Sequence, residues 1–550
     1  MSSSLINTAM SGLNAAQAAL STTGNNIANV SVAGYNRQTA IITQSNGIST
    51  PAGYIGNGVT VTGVNREYNS FVVKQLLGAS ATGSALSTQL DQASSIDDLL
   101  GDSSTGIDAT MSTFFKGLQT LTSNASDSAA RQAVLGEAQG LTAQFNSSAK
   151  YLNDMNTAVN QQVTQNVDQI NTYASQIAKL NSQITATRGS TGQEPNALLD
   201  QRDQLVSQLN NVTGVVVTQQ DGDTYNISFA NGTPLVSGGN AKTVVAMPSS
   251  ADPSKLTVGM TQPDGSVSEI QESRLTTGSL GGTLAFRKDN LEPAINQLGQ
   301  LALALSDSFN TTNKAGFDLN GDAGTDFFSF TGATTVSNTK NTGSAQLSVA
   351  YTDTAAVKAS DYTMAYNGTS WDVTRVSDGA KITPTAGTDS NGDPTMNFDG
   401  LSVSVTGTPN TNDSITIKTV SNVAGSMNLA ISDSSLIAAA GAADSGVSDN
   451  TNAQKLLNLQ TAKLVEGKST LSGAYASMVS NVGNQVSTLT TTSTSQANIV
   501  TQLTAQQQSI SGVNLDEEYG DLQRYQQYYL ANAQVVQTAS TIFDAIINIR

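Results

Sequence analysis

Residues 5–30 read LINTAMSGLNAAQAALSTTGNNIANV, and within them Ile6, Ala9, Leu13, Ala16, Leu20, Thr23, Ile27 and Val30 recur at alternating steps of three and four. That alternation returns a mostly apolar residue to one side of a helix every half heptad, which is the seam of a coiled coil. A helix over residues 5–28 is about 36 Å long at ~1.5 Å per residue. Ala15, Ala16, Ala18 and Ala19 leave room for a second helix to approach closely. The other end of the chain has a matching pattern. Leu515, Leu522, Tyr529, Val536 and Phe543 follow one another at heptad steps, with Ile546 three residues on. Tyr528, Val535, Ile542 and Ile549 form a second stripe beside them. One stripe suits a two-stranded coil, whereas two adjacent stripes need more than one neighbour. The pattern therefore predicts first and last helices that come together, with apolar surface left over for other subunits.

Between these ends, proline placement divides the chain. No proline falls between Pro51 and Pro195, nine lie from Pro195 to Pro409, and none follows. Residues 30–66 are Gly-rich and β-prone around Val59, Val61 and Val64. Helical spacing runs from Tyr68 to Leu100 and from Met111 to Thr122. From 129 to 187 it hardly breaks, with no Gly or Pro between Leu141 and Arg188. That predicts one helix of about 80 Å or more, a length typical of rods rather than compact enzymes. After a helix over 198–211, short strands follow at 214–218, 225–229, 243–247 and 255–260, punctuated by Asp-Gly and Asn-Gly turns. A helix over 290–312 precedes strand-and-turn sequence over 318–425, which holds the only tryptophan, Trp371. Helical spacing returns over 452–510 and ends at Ser511-Gly512. The expected fold is mainly α with β insertions. Terminal helices form a coiled-coil-like core (1–67 with 511–550), followed by a long-helix bundle (68–317 with 426–510, carrying a β module near 212–285). An inserted β-rich domain covers 318–425.

Composition limits the chemistry. The 550 residues include no Cys and no His, so disulfides, thiolate metal sites and His-based catalysis are out of reach. The net charge of -17 leaves no Lys/Arg cluster suited to a nucleic-acid backbone. No run of 18 apolar residues reads as a membrane span, and the first residues lack the pattern of a cleaved secretory signal. Asp318, Asn320 and Asp322 have the spacing of the first ligands of a calcium loop. Ala323 stands where that loop needs Gly, and Ser329 where it needs Glu, so a boundary turn is the expectation and no metal or cofactor is expected. Asp516, Glu517 and Glu518 precede the last helix, where acids favour the positive end of the dipole.

Ser11-Gly12-Leu13-Asn14-Ala15-Ala16-Gln17, then Asn25-Asn26-Ile27-Ala28-Asn29 and Gly34-Tyr35-Asn36-Arg37-Gln38, resemble the N-terminal signature of flagellar rod, hook and hook-associated proteins. Val32-Ala33 stands where that family often has Thr-Pro. Ser511-Gly512-Val513-Asn514-Leu515-Asp516-Glu517-Glu518, Tyr525-Gln526-Gln527 and Ala531-Asn532-Ala533 resemble the C-terminus of its hook-filament junction members, and Gly316-Phe317-Asp318-Leu319-Asn320-Gly321-Asp322 resembles their segment leading into the inserted domain. The resemblance implies a secreted, extracellular structural part, not an enzyme. It implies export unfolded through the flagellar export apparatus and self-assembly into a ring joining hook to filament. The implied partners are the hook protein, the junction protein FlgL and, before export, the chaperone FlgN on the C-terminal helix. The candidate subunit-interface residues are Ile6, Leu13, Leu20, Ile27, Asn29, Tyr35, Arg37, Leu515, Leu522, Tyr529, Val536, Phe543 and Ile546. Asn26, Asn29, Tyr35 and Arg37 are equally well explained as capping and turn residues. A hook or distal rod protein, and a secreted adhesin or His-free hydrolase, are the alternative readings.

Overall fold

The structure is a computed structural model that describes residues 2–50, 53–101, 106–389 and 392–547. Its helices are α1 (Ser2–Ala28), α2 (Ser70–Leu100), α3 (Ile107–Ser123), α4 (Ser128–Thr191), α5 (Asn196–Thr213), α6 (Gly278–Phe286), α7 (Glu292–Lys314), α8 (Val423–Ser426), α9 (Thr451–Asn458), α10 (Leu471–Ser511) and α11 (Leu515–Ile547). The fold is mainly helical with β insertions.

α4 organises the rod. Its first turn is capped by the Asp127 side chain accepting from the Ala129 amide, and it ends at Gly192, whose φ of 66° is the left-handed stop. At 64 residues it is about 96 Å long. One apolar stripe serves two cores. Val134, Leu135, Ala138, Leu141, Phe145 and Leu152 join α3, α7 and the base of the inserted domain. Val163, Val167, Ile170 and Ile177 join α5 and the β module. The first core is centred on packed aromatic rings, with Phe309 4.6 Å from Phe327, Phe327 4.8 Å from Phe328 and Phe114 5.4 Å from Phe309. Phe327 and Phe328 thus belong to the rod, and the short pairing of strands Phe328–Ser329 and Asn428–Leu429 forms the neck of the inserted domain.

The β module has a four-stranded meander, Val216–Gln219, Tyr225–Phe229, Thr233–Ser237 and Asn240–Ala241. Beside it lies a three-stranded sheet with Leu256–Thr261 in the centre. Tyr225, Ile227 and Phe229 are buried and the residues between them are not, the alternation of a half-covered strand. The inserted domain stacks a five-stranded sheet on a four-stranded one.

Asparagines join helices to strands and loops. The amide of Asn181 accepts from the Tyr225 N–H (3.1 Å) and donates to the Tyr225 carbonyl (2.9 Å). Asn171 makes the same two bonds with Val244 (2.9 and 2.7 Å), and Asn310 on α7 makes them with Phe328 (both 2.8 Å). A carboxamide has the donor and acceptor of a peptide group, so it pairs with backbone that has no strand beside it.

Two segments depart from the sequence reading. Helix begins at Gly278 (α6) and passes through a π turn at Arg287–Leu291 into α7, rather than beginning near 290. Gly278, Gly281 and Gly282 lower helix propensity, yet a methyl on Gly282 would collide with the Ala85 carbonyl oxygen, so α6 can approach α2 only without side chains there. The spacing over 452–510 is also not one helix. The chain leaves α9 after Asn458 and turns through Glu466 (φ 53°) and Gly467 (φ 64°) before α10 starts at a Thr470 cap.

Asn181 is fully buried, so Asn181→Leu should leave both polar groups of Tyr225 unpaired and cost about 1–3 kcal/mol. The check is the unfolding midpoint together with amide exchange at Tyr225. Unchanged protection at that amide would show that the pairing contributes nothing.

Candidate functional site where the chain ends meet

α1 and α11 run antiparallel. A methyl on Gly12 would collide with the Asn532 side chain, and Asn26 near the end of α1 reaches Glu518 near the start of α11, donating to Oε2 at 3.0 Å. Small residues bring the helices this close. On α1 the buried positions are Ala9, Ala15, Ala16, Ala19, Thr23 and Asn26. The larger members of the predicted seam, Ile6, Leu13, Leu20 and Ile27, are half-buried.

On α11 only Glu518 and Ala539 are buried among the described residues. Leu522 and Val536 are half-buried, and Leu515, Tyr529 and Phe543 are exposed. In the second stripe Tyr528, Val535 and Ile542 are exposed as well. Ile546 lies on the helix, but its side chain is outside the described residues, and Ile549 is outside them altogether. The structure thus brings the two helices together through one small-residue face and leaves the other apolar residues of α11 uncovered.

The segment following α1 ties this pair to the rod. Asn26 pairs with Gln38 through both backbone groups, accepting from its N–H (3.0 Å) and donating to its carbonyl (2.8 Å). Tyr35 donates to Asn26 Oδ1 at 2.8 Å and accepts from Asn25. Burial raises the Tyr35 phenol to about 12, with Asp200 and Glu518 adding to the rise, so it stays a donor. The Asn29 side-chain amide donates to the Asn25 carbonyl and Oδ1, at 2.8 and 2.9 Å, closing the end of α1. Asn36 donates to Asp200 on α5 at 2.6 Å, and Arg66 joins Asp200 (3.0 Å) and Asp203 (2.7 Å) from the far strand of the ribbon formed by Gln38–Gln44 and Val59–Arg66.

Arg37 is the hub. Its Nε donates to Glu518 Oε1 at 2.8 Å, one terminal nitrogen to Glu517 at 2.9 Å, and Asp521 stands 3.8 Å away. Its backbone N–H donates to the carbonyl of Ser511, the last residue of α10, at 2.8 Å. Burial disfavours the charge on Arg37, but Glu518 and then Glu517 and Asp521 outweigh it and raise its pKa. The Glu518 side chain is 1% exposed, so the first turn of α11 carries more than dipole-favouring acids: it presents the counter-ion of Arg37. The spacing pattern gave no sign of Glu518, Asp200 or Arg66, because their partners come from segments far away in sequence. Among the described residues no group of three or more acidic side chains is placed to hold a metal. At 318–322 the Asp318 carboxylate accepts from the Asn320 and Asp322 amides of its own turn, at 2.8 and 3.0 Å.

The family model for the flagellar hook-associated protein FlgK helical domain matches residues 93–328, and the hook-associated protein 1 D2-like domain matches 336–419. The flagella basal body rod protein model matches 6–36, and the rod FlgEFG protein C-terminal model matches 494–549. Flagellar hook-associated protein 1 of Escherichia coli (strain K12) is 52% identical over 550 residues, covering 100% of both chains. The Salmonella typhimurium protein of that name is 50% identical over 556 residues, again covering 100% of both, and the Bacillus subtilis one is 25% identical with 99% and 97% covered. The solved flagellar hook junction protein FlgK of Burkholderia pseudomallei superposes with a TM-score of 0.75 at 30% identity, covering 80% of this chain and 100% of its own. Matched from end to end by such relatives, the chain belongs to the flagellar hook-associated protein 1 (FlgK) family.

Proposed function

We propose that the chain is a structural joint of the bacterial flagellum, one subunit of a ring between hook and filament. The observation that carries this reading is the terminal pair: closed on one face by the Arg37–Glu518 clasp, it leaves Tyr529, Leu530, Ile542 and Phe543 of α11 uncovered. Uncovered apolar residues on a helix ask for partners, and copies of the same chain are the partners that ring assembly supplies. On this reading the interface residues are those of the terminal seam together with Asn29, Tyr35 and Arg37, of which Tyr35 and Arg37 also position the pair. The hook protein and FlgL lie on either side, and FlgN covers the C-terminal helix before passage through the export apparatus to the cell exterior. The working units are 1–67 with 511–550, 68–317 with 426–510, and the insertion at 318–425, whose first residues as far as Phe328 pack with the rod. A hook or distal rod protein shares the terminal motifs, but the match of residues 93–328 to the FlgK helical domain favours the junction.

A structural role also fits a cleft of about 700 Å³ between the β module and the inserted domain. Of the five acids lining it, four are ion-paired, Glu269, Glu272 and Glu292 with Lys340, Arg287 and Lys255, and Asp252 with Lys418, while Asp361 lies buried behind them outside any ion pair among the described residues. Carboxylates engaged in this way are not poised for acid–base work.

Phe543→Asp puts a charge on exposed surface, so the isolated chain should melt within about 0.5 kcal/mol of the original stability. The same charge buried between subunits costs several kcal/mol per copy. Electron microscopy of isolated hooks mixed with the variant should then show uncapped ends. Capping at the original level would sink the assignment of this face.

Arg37→Met leaves Glu518 buried with only Asn26 beside it and should cost about 3–5 kcal/mol of local stability. Limited proteolysis should then release both ends, whereas Glu517→Gln, at a side chain 57% exposed, should change little. Adding Glu518→Gln to Arg37→Met should restore part of the protection. Equal effects of Arg37→Met and Glu517→Gln would show that the clasp does not hold the ends.

A further inference from the structure

Besides its neck on the rod, the inserted domain has a polar seam with the β module. The Thr339 amide donates to the Ser250 carbonyl at 2.9 Å, Lys340 reaches Glu269 at 2.8 Å, and Lys418 reaches Asp252 at 2.8 Å. Behind these pairs lies Asp361, on the inserted domain just before strand Tyr362–Tyr366. It is 9% exposed, and its Oδ1 is closed to solvent with no hydrogen-bond partner. The groups acting on it come from every side. Lys255 opens the central strand of the β module, Glu292 is at the start of α7, Lys418 ends strand Ser414–Lys418, and the Thr419 amide donates to it.

Both ammoniums already have closer partners. Lys255 is 2.6 Å from Glu292 and 3.8 Å from Asp252, and Lys418 is 2.8 Å from Asp252. Among the groups nearest Asp361 there are thus three carboxylates, Asp252, Glu292 and Asp361, against two cations; Arg287 and Lys340 are held by Glu272 and Glu269, and Lys288, which also lines the cleft, is exposed. Ionised Asp361 is the uncompensated charge, shut away from water at the meeting of two units.

We propose that this seam is a pH-sensitive latch, closed when Asp361 carries a proton and loosened when Asp361 ionises and draws water into the cleft. Burial pushes the Asp361 carboxyl up to about 6, with Glu292 adding to the rise while Lys255, Lys418 and the Thr419 amide oppose it. A carboxyl raised in the closed state gives stability that is full below its ordinary value and lost as pH rises through the raised one. The window is thus roughly pH 4 to 6. Asp252 and Glu269 are shifted the other way, down, by their lysine and serine partners after burial has opposed them, so their contribution is lost only below the usual carboxylate range. Between pH 5 and 7.5 Asp361 sets the sign. For a group at about 6 closed and its ordinary value open, the ratio of closed to open forms falls roughly tenfold over that interval.

The chain contains no cysteine, so two introduced ones can be labelled selectively. Ser273→Cys on the β-module side and Lys381→Cys on the inserted domain, both at exposed positions, carry spin labels on the full-length protein. Distance distributions at pH 5 should show one narrow population, with a second, longer one growing roughly tenfold relative to it by pH 7.5. In Asp361→Asn the narrow population should persist at both values. A far-ultraviolet melt of each variant confirms that it is folded. An unchanged distribution in the parent, or a pH response that survives in Asp361→Asn, would overturn the latch.

Discussion

Joining long helices to strand edges and loops leaves backbone groups without partners, and this fold meets the requirement with asparagine. A buried N–H or C=O without a partner costs about 1–3 kcal/mol, so each such edge must be closed. Asn26, Asn171, Asn181 and Asn310 each accept from and donate to the backbone of a single residue in another segment: Gln38, Val244, Tyr225 and Phe328. Asn341 does the same with Ser414 inside the inserted domain. The low charged share of 12% is consistent with this use. A neutral amide holds two segments together without the desolvation penalty of a buried ion pair.

The same pairing explains what the sequence showed and what it hid. α4 was legible because a helix that long cannot conceal its period, and because Gly and Pro are missing between Leu141 and Arg188. The two terminal helices were legible from their heptad spacing, and the insertion from its short strands and Gly-containing turns. What stayed hidden were contacts between distant segments. Asn181 reads as a polar residue on a helix surface until Tyr225 is placed against it. Asp200 is an ordinary helix acid until Arg66 and Asn36 converge on it. α6 was masked by its own glycines, whose low propensity is outweighed by the close approach to α2 that they permit. In each case tertiary contact, absent from any local window, decided the outcome.

At the candidate site the apolar pattern was plain, while the arrangement that organises it was not. Heptad spacing marked Leu515, Tyr529 and Phe543 as apolar surface, and they are exposed in the structure. The buried face of the pair is built from alanines, Thr23, Asn26 and Glu518, of which Ala9, Ala16 and Thr23 belong to the α1 seam. The seam's small members, Ala9, Ala16 and Thr23, are thus the ones in contact, while the large apolar residues Leu515, Tyr529 and Phe543 of α11, at the same spacing, stay free.

This division of labour has an energetic reason. α4 buries a continuous stripe and is held by two cores, whereas α11 buries little apolar area of its own. At about 25 cal/mol per Å² of apolar area, small alanine contacts stabilise a helix pair weakly. A buried ion pair adds little net stability either, because desolvation offsets much of the attraction. What it does impose is register. Glu518 can be buried only where Arg37 and Asn26 meet it, so a slip of α11 along α1 by one turn would strand a carboxylate without its counter-ion. The clasp therefore fixes how the two ends align while leaving the large apolar residues of α11 uncommitted. A terminal pair stabilised by burying those same residues would be firmer alone and would have less to offer a neighbour.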